Sequence, residues 1–244
     1  MRTIKLTIEY DGTNYAGWQV QPNGLAIQQV MEDALAKILG APVRLHSSGR
    51  TDAGVHAKGM VAAFRTDKGI PLRAFCDGLN SLLPRDISVK EAVEMPPDFH
   101  PRFDAQGKHY RYTLLNAPRR SPLTRLYAWH VRSRLDLPAM ERAAWHFVGE
   151  NDFAAFRTTG CAAKTTTRRI DAVDIRQGSE FVTIDVKGSG FLRNMVRMMV
   201  GTLVEVGVGR RQPEDVALLL EQPDSGSAGP TAPPHGLCLV EVFY

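Results

Sequence analysis

The stretch HYRYTLLN, residues 109–116, alternates with the period of a strand and marks the point where the order of elements along the chain begins again. Upstream, MRTIKLTIEYDG sets Ile4, Leu6, Ile8 and Tyr10 against Lys5, Thr7 and Glu9 and stops at the turn Asp11-Gly12, which predicts a first strand. AIQQVMEDALAKIL places Ile27, Val30, Met31, Ala34, Leu35, Ile38 and Leu39 on one helical stripe, with Gly40 at the stop and Pro42 beyond it. Strands at 43–48 and 59–65, a helix over 72–83 ended by Pro84, and a strand at 87–93 complete the order β-α-β-β-α-β. From residue 109 that order repeats with different residues. A helix over 137–148, a hairpin of 167–176 with 181–187 pivoting on Gly178-Ser179, and a long helix over 191–206 follow in turn. A shorter helix begins at Pro213, where proline suits a first turn. A proline- and glycine-rich arm, 223–236, leads into the last strand, LCLVEVF. Two such units predict an α+β fold of two tandem ferredoxin-like halves. Their sheets join into one continuous, mostly antiparallel sheet with helices on one side and a broad face open between the halves. The join is expected near residues 96–101, which gives an N-terminal half of 1–97 and a C-terminal half of 98–244.

A length of 244 residues, 43% hydrophobic and 23% charged, is ordinary for a globular chain able to bury a core. No apolar run approaches the ~20 residues of a membrane span. The alternating N-terminus is neither a signal nor a transit peptide, so a cytoplasmic protein is expected. Cys76, Cys161 and Cys238 form no C-x-x-C and read as core thiols, and the seven histidines make no metal-binding pattern.

The net charge of +4 is modest, and its distribution says more. Residues 105–135 hold Lys108, Arg111, Arg119, Arg120, Arg125, Arg132 and Arg134 without one acid, and 153–170 hold Arg157, Lys164, Arg168 and Arg169, again without one. Interleaved with Tyr110, Tyr112, Tyr127, Trp129, Phe153 and Phe156, these runs suit a surface that tracks phosphates and stacks on bases. The opposite oddity is Asp52, in GRTDAGVHAK. It is the only acid from residue 34 to 66, among Lys37, Arg44, Arg50, Lys58 and Arg65. One reading is a turn aspartate capping backbone N–H groups. The other is a reactive carboxylate on a glycine-flanked loop, kept ionised beside a polyanion by neighbouring guanidinium groups. Composition alone leaves the two level.

GRTDAGVHA closely resembles the signature of TruA-type tRNA pseudouridine synthases. So, in order, do YDGTNYAGWQVQPNGLAIQ (10–28), LNSLLPRDISV (79–89), FHPRFDAQGKHYRYTLLN (99–116), FRTTG (156–160), GSGFLRNMVRMMVGTL (188–203) and the closing TAPPHGLCLVEVFY. The resemblance spans nearly the whole chain. It implies an isomerase that converts uridine to pseudouridine at positions 38, 39 and 40 of the tRNA anticodon stem-loop. It further implies no cofactor and no metal, a homodimer that cradles the tRNA, and a central RNA-binding cleft between the halves.

By the same resemblance Asp52 starts glycosidic cleavage, and attack at C1′, attack at C6 and removal of the 2′ proton all stay open to it. Tyr110, in K-H-Y-R-Y-T, packs on the target base and transfers protons; Tyr112 shares its face with period two, so only the motif picks Tyr110. Arg197, in M-V-R, pairs with Asp52. Arg50 takes the place of the displaced base or binds a flanking phosphate. His56 is structural or RNA-contacting, and Lys58, Arg157, Lys164 and Arg193 are assigned to RNA contact. The helix block departs from the family at Arg193 and Asn194, where aromatic or histidine residues are common. Two rival functions remain. A non-catalytic tRNA-binding protein would use the same basic face but has no need of a lone carboxylate. A hydrolase with an aspartate dyad would need a second D-A-G, and the equivalent turn of the other half is Gln177-Gly178-Ser179.

Overall fold

Alternation builds the first strand, β1 (Arg2–Tyr10), as read: Ile4, Leu6, Ile8 and Tyr10 are buried, while Lys5, Thr7 and Glu9 stay half-exposed. The computed structural model describes residues 1–158 and 163–244, so Cys161 and the end of the FRTTG block lie outside the described residues. The chain divides into two units, Met1–Gln106 with Cys238–Tyr244, and Gly107–Leu237. Among the described residues an α+β fold of ten strands and five α-helices is found, and no helix is long and apolar enough to cross a membrane.

In the first unit the stripe of α1 (Ile27–Leu39) buries Ile27, Met31, Ala34, Leu35 and Leu39. Gly40 ends the helix at φ 68°, its N–H donating to the Ala36 carbonyl at 2.8 Å. The strand expected over 43–48 shrinks to β2 (His46–Ser47). The cause lies on the polar side of α1. Glu32 Oε1 accepts the Leu45 amide at 2.9 Å, and buried Gln28 donates to the Leu45 carbonyl at 3.2 Å, so Leu45 is tied to the helix before pairing begins. After β2 the chain loops into β3 (His56–Thr66), which lies antiparallel to β1 with Ile4 opposite Phe64 and Leu6 opposite Ala62. The helix expected over 72–83 is broken. A 3₁₀ turn at Leu72–Phe75 and α2 (Asp77–Leu82) meet at Cys76. The break lets Asn80 grip Val89 on β4 (Ile87–Met95), accepting its N–H at 2.7 Å and donating to its carbonyl at 2.9 Å. Strand β4 pairs antiparallel with β1, and β2 pairs antiparallel with β3.

The second unit centres on β5 (Gly107–Asn116), the strand that restarts the order. Beyond it come β6 (Trp129–Val131), α3 (Leu137–Trp145), β7 (Gly149–Asp152), β8 (Thr167–Gln177) and β9 (Phe181–Gly188). Strand β5 pairs antiparallel with β9, then β8 and β7 follow, and β6 adds to β5 in parallel. The β8–β9 hairpin turns at Gly178, whose N–H reaches the Phe181 carbonyl at 2.7 Å, as its sequence predicted. Neither β6 nor β7 was expected: three and four residues are too few to show a period, and β7 reads GEND. Helix α3 is capped by Asp136, which accepts the Ala139 amide at 3.0 Å. Helix α4 (Met195–Gly207) starts four residues later than expected because Asn194 takes a left-handed conformation, φ 61°. Helix α5 (Asp215–Glu221) likewise begins two residues after Pro213.

The last strand, β10 (Leu237–Phe243), packs with the first unit, where Cys238 and Leu239 pair in parallel with His56 and Ala57. Gln106 N–H donates to the Phe243 carbonyl at 2.9 Å and Tyr244 Oη to the Pro101 carbonyl at 2.7 Å. A Cβ on Gly59 would stand 2.5 Å from the Val240 carbonyl oxygen, so β3 and β10 approach as closely as glycine allows. Gly59→Ala should therefore destabilise the protein by about 1–3 kcal/mol, a fall of several degrees in thermal midpoint by circular dichroism; an unchanged midpoint would contradict the tight β3–β10 contact.

Candidate active site

Residues 49–55, between β2 and β3, carry Asp52, and the segment after β1 holds them from outside. The Trp18 amide donates to the Thr51 carbonyl at 3.1 Å, and the Tyr10 and Thr51 hydroxyls lie 2.7 Å apart in a buried hydrogen bond. Gly17, at φ 99°, makes this approach possible: a Cβ there would stand 2.6 Å from the Thr51 oxygen and 3.1 Å from the Asp52 carbonyl carbon. Gly12 does the same on the other side, 2.0 Å from Val55 O. Within the loop the Val55 amide closes a turn on the Asp52 carbonyl at 3.1 Å, with Gly54 at φ 76°. Thr51 and Val55 are buried while Asp52 itself is half-exposed. The result is a carboxylate carried at the surface on a backbone fixed on both sides.

The clamping segment is itself anchored. Asp11 Oδ1 accepts the Thr13 amide and hydroxyl at 3.0 and 2.5 Å, and the Asp11 amide donates to the Asp86 carbonyl at 2.9 Å. Tyr15 donates its hydroxyl to Asp86 Oδ1 at 2.7 Å; burial, with the Asp86 bond and charge, pushes its phenol well above the usual range, so it stays a donor. His56 is buried, with Nδ1 3.1 Å from both the Gly12 amide and Asp11 Oδ1. A neutral Nδ1 accepts the amide proton and a protonated one donates to Asp11, so either form ties β3 to this segment. Arg50 and Lys58 are exposed beside the loop and on β3.

In the second unit Tyr110 and Tyr112 do share one face of β5, and the geometry separates them. Tyr112 is fully buried and donates to the Pro233 carbonyl at 2.7 Å. Burial pushes its phenol far up, against a smaller downward pull from the Arg197 charge. Tyr110 keeps 9% exposure and meets Phe191 edge-on, ring centres 5.1 Å apart. Arg197 lies on α4, held by the arm before β10: its Nε donates to the Ala232 carbonyl at 2.7 Å, and the Ala232 amide returns a bond to the Arg197 carbonyl at 3.1 Å. Gly201 lets the arm this close, since a Cβ would fall 1.7 Å from Pro230 O. Nη1 of Arg197 donates to Asn194 Oδ1 at 2.7 Å. Arg157, Lys164 and Arg193 are exposed.

One basic residue of the acid-free run, Arg111, is paired with an acid after all. Asp185, on β9 opposite Arg111, is buried and accepts from Arg111 Nε at 2.9 Å and His109 Nε2 at 2.5 Å through Oδ1. Burial pushes this carboxyl up, but the two hydrogen bonds and the Arg111 charge outweigh it and hold it below the usual range. A strand partner 74 residues away is invisible to a composition window. No part in the site was read for Tyr10, Gly12, Gly17, Trp18 or Ala232, and Asn194 stood out only as a departure within its block. For Tyr10, Gly12, Gly17 and Trp18 the signal was present as the glycines and aromatics of the YDGTNYAGW block.

Against known proteins, the chain matches the family model described as tRNA pseudouridine synthase over residues 6–104 and 143–244. It is 67% identical to the tRNA pseudouridine synthase A of Geobacter sulfurreducens and 65% identical to that of Geotalea uraniireducens, each over 244 residues and all of both chains. The namesake from Myxococcus xanthus is 51% identical over all of this chain and 92% of its own. Likeness to solved structures is slight: the archaeal box H/ACA sRNP Nop10-Cbf5 complex matches at 12% identity and a TM-score of 0.37, over 82% of this chain and 44% of that one.

Gly17→Ala should release the Asp52 loop, at about 1–3 kcal/mol of stability, with faster hydrogen exchange at the Trp18 amide; unchanged exchange there would contradict the clamp. For Asp185 the depressed carboxyl contributes stability above the usual carboxylate range that is lost as pH falls through its lowered value. The stability gap between wild type and Asp185→Asn should therefore narrow as denaturation is followed from neutral to acid pH, and a gap that widens would contradict the assignment.

Proposed function

The chain belongs to the tRNA pseudouridine synthase family, and we propose that it isomerises uridine at positions 38, 39 and 40 of the anticodon stem-loop with Asp52 as the initiating group. In making pseudouridine the C1′–N1 bond breaks, the uracil turns, and C1′ bonds to C5. C5 loses a proton and N1 gains one, so atoms and electrons balance within the nucleotide. The observation that supports Asp52 is its setting: a half-exposed carboxylate on a turn fixed at Thr51 and Val55, with exposed Arg50 and Lys58 nearby. A carboxylate placed near C1′ stabilises oxocarbenium character as the base departs. A target base stacked or paired in the stem is first flipped out, at a few kcal/mol.

Tyr110 packs on the flipped base, and Arg197 pairs with Asp52 and orients it. The burial of Tyr112 in its bond to Pro233 supports Tyr110 as the tyrosine of the pair that meets substrate. Arg50 fills the place of the displaced base or binds a flanking phosphate. Lys58, Arg157, Lys164 and Arg193, all exposed, contact the RNA backbone. Burial of the His56 ring at Asp11 and Gly12 supports a structural role for it. On this reading residues 1–97 form the half with the Asp52 loop, and 98–244 the half with Tyr110, Arg197 and the dimer-forming elements. The halves are tandem ferredoxin-like units joined in one sheet across a central RNA-binding cleft, the enzyme acts as a cytoplasmic homodimer, and no cofactor or metal takes part. The antiparallel neighbours β4-β1-β3-β2 support the ferredoxin-like reading of the first unit.

Release of tritium from C5-labelled tRNA tests the chemistry. Asp52→Asn should fold and bind tRNA yet release tritium roughly a thousandfold or more slowly; near-normal release would refute the assignment. Arg197→Met should lower turnover far more than tRNA affinity. Replacing Arg119 and Arg120 by Gln should instead weaken tRNA binding and reduce the slope of log K against log salt by about one per lost phosphate contact, with turnover at saturation kept.

A further inference from the structure

Asn194 is the one non-glycine residue at positive φ among the described residues, at φ 61°, ψ 4°. Such a conformation is strained for an L residue and persists where the surroundings enforce it. Asparagine is also a preferred residue at a helix start, because its side chain can accept the helix's first amides. Here it stands at the N-cap of α4 and makes no such bond. Its side chain is turned elsewhere: Oδ1 accepts Arg197 Nη1 at 2.7 Å, and Nδ2 donates to Thr158 Oγ1 at 3.3 Å. Arg197 is thereby held at two points, by the Ala232 carbonyl on Nε and by Asn194 on Nη1, which fixes both the position and the rotation of its planar guanidinium. Thr158 is half-buried and follows directly on Arg157, which is exposed.

We propose that Asn194 is a positioning residue for the reaction: its left-handed backbone and bridging amide aim Arg197 and tie it to Thr158, next to Arg157. The inference rests on the reading of Arg197 as an active-site group. An amide at residue 194 has an acceptor for Arg197 and a donor for Thr158, and the left-handed backbone brings both within reach.

The test is a series at Asn194 read by kcat, KM and thermal midpoint in the tritium-release assay. Asn194→Gly keeps the left-handed backbone and removes the bridge, so kcat should fall about ten- to a hundredfold, as for loss of a hydrogen bond to a charged group, with KM within about twofold and the midpoint not lowered. Asn194→Asp keeps the acceptor for Arg197 and should recover most of kcat, while Thr158→Val should show a smaller loss of the same kind. In an Arg197→Lys background, Asn194→Gly should add little further loss, because it acts through Arg197. Unchanged kcat in Asn194→Gly, or a loss fully additive with Arg197→Lys, would overturn the proposal while leaving Arg197 in the site. Near-normal turnover in Arg197→Met would instead overturn the role of Arg197 itself.

Discussion

The contact on which the site depends is the one between the 11–18 segment and the loop of Asp52. Two glycines, Gly12 and Gly17, let one stretch of backbone lie against another at distances no side chain would permit, and the Trp18–Thr51 and Tyr10–Thr51 bonds fasten it there. A surface loop ordinarily samples many conformations, and ordering it costs about 1–2 kcal/mol per residue. Here that ordering is met by tertiary contacts within the protein, so the carboxylate proposed to start the reaction need not search for its place. Preorganisation of this kind matters because a group that must search for its geometry contributes little to the barrier. His56, Tyr15 and Asp86 extend the same logic one layer outward, bracing the segment that braces the loop.

The second unit solves an equivalent problem by different means. Arg197 projects from a helix, which is rigid, but its long side chain is not. The arm preceding β10 supplies a carbonyl to Nε, and Gly201 and Gly229 let that arm lie flat along α4, where Gly229 N–H bonds Thr202 Oγ1 at 2.8 Å. Tyr112 and Pro233 pin the next turn of the same arm. The proline-rich stretch thus serves less as a linker than as a strap. Its lack of regular structure leaves its carbonyls free to accept side-chain donors.

Much of this was legible in the sequence, and the exceptions follow a pattern. Strand β1 was readable because Ile4, Leu6, Ile8 and Tyr10 alternate over a full strand, and β10 because LCLVEVF is bounded by an arm that cannot pair. Strands β6 and β7 are too short to carry a period, and the start of α4 turns on one backbone angle at Asn194 that no periodicity encodes. For the site, the isolation of Asp52 among basic residues was visible locally. Its clamp was not, because Gly17 and Thr51 are distant in sequence. The same limit misled the reading of Arg111, counted with an acid-free run although Asp185 pairs with it across the sheet. Local patterns report elements, whereas sites are made by what folding brings together.

The central claim is that the Asp52 turn is held ready for substrate. A crystal structure of this protein with an anticodon stem-loop would test it most directly. The account predicts a uridine flipped out of the stem, its ribose C1′ within about 3.5 Å of an Asp52 carboxylate oxygen, and the Thr51–Trp18 bond intact. A target ribose bound away from Asp52, or a loop rearranged to reach it, would contradict the account.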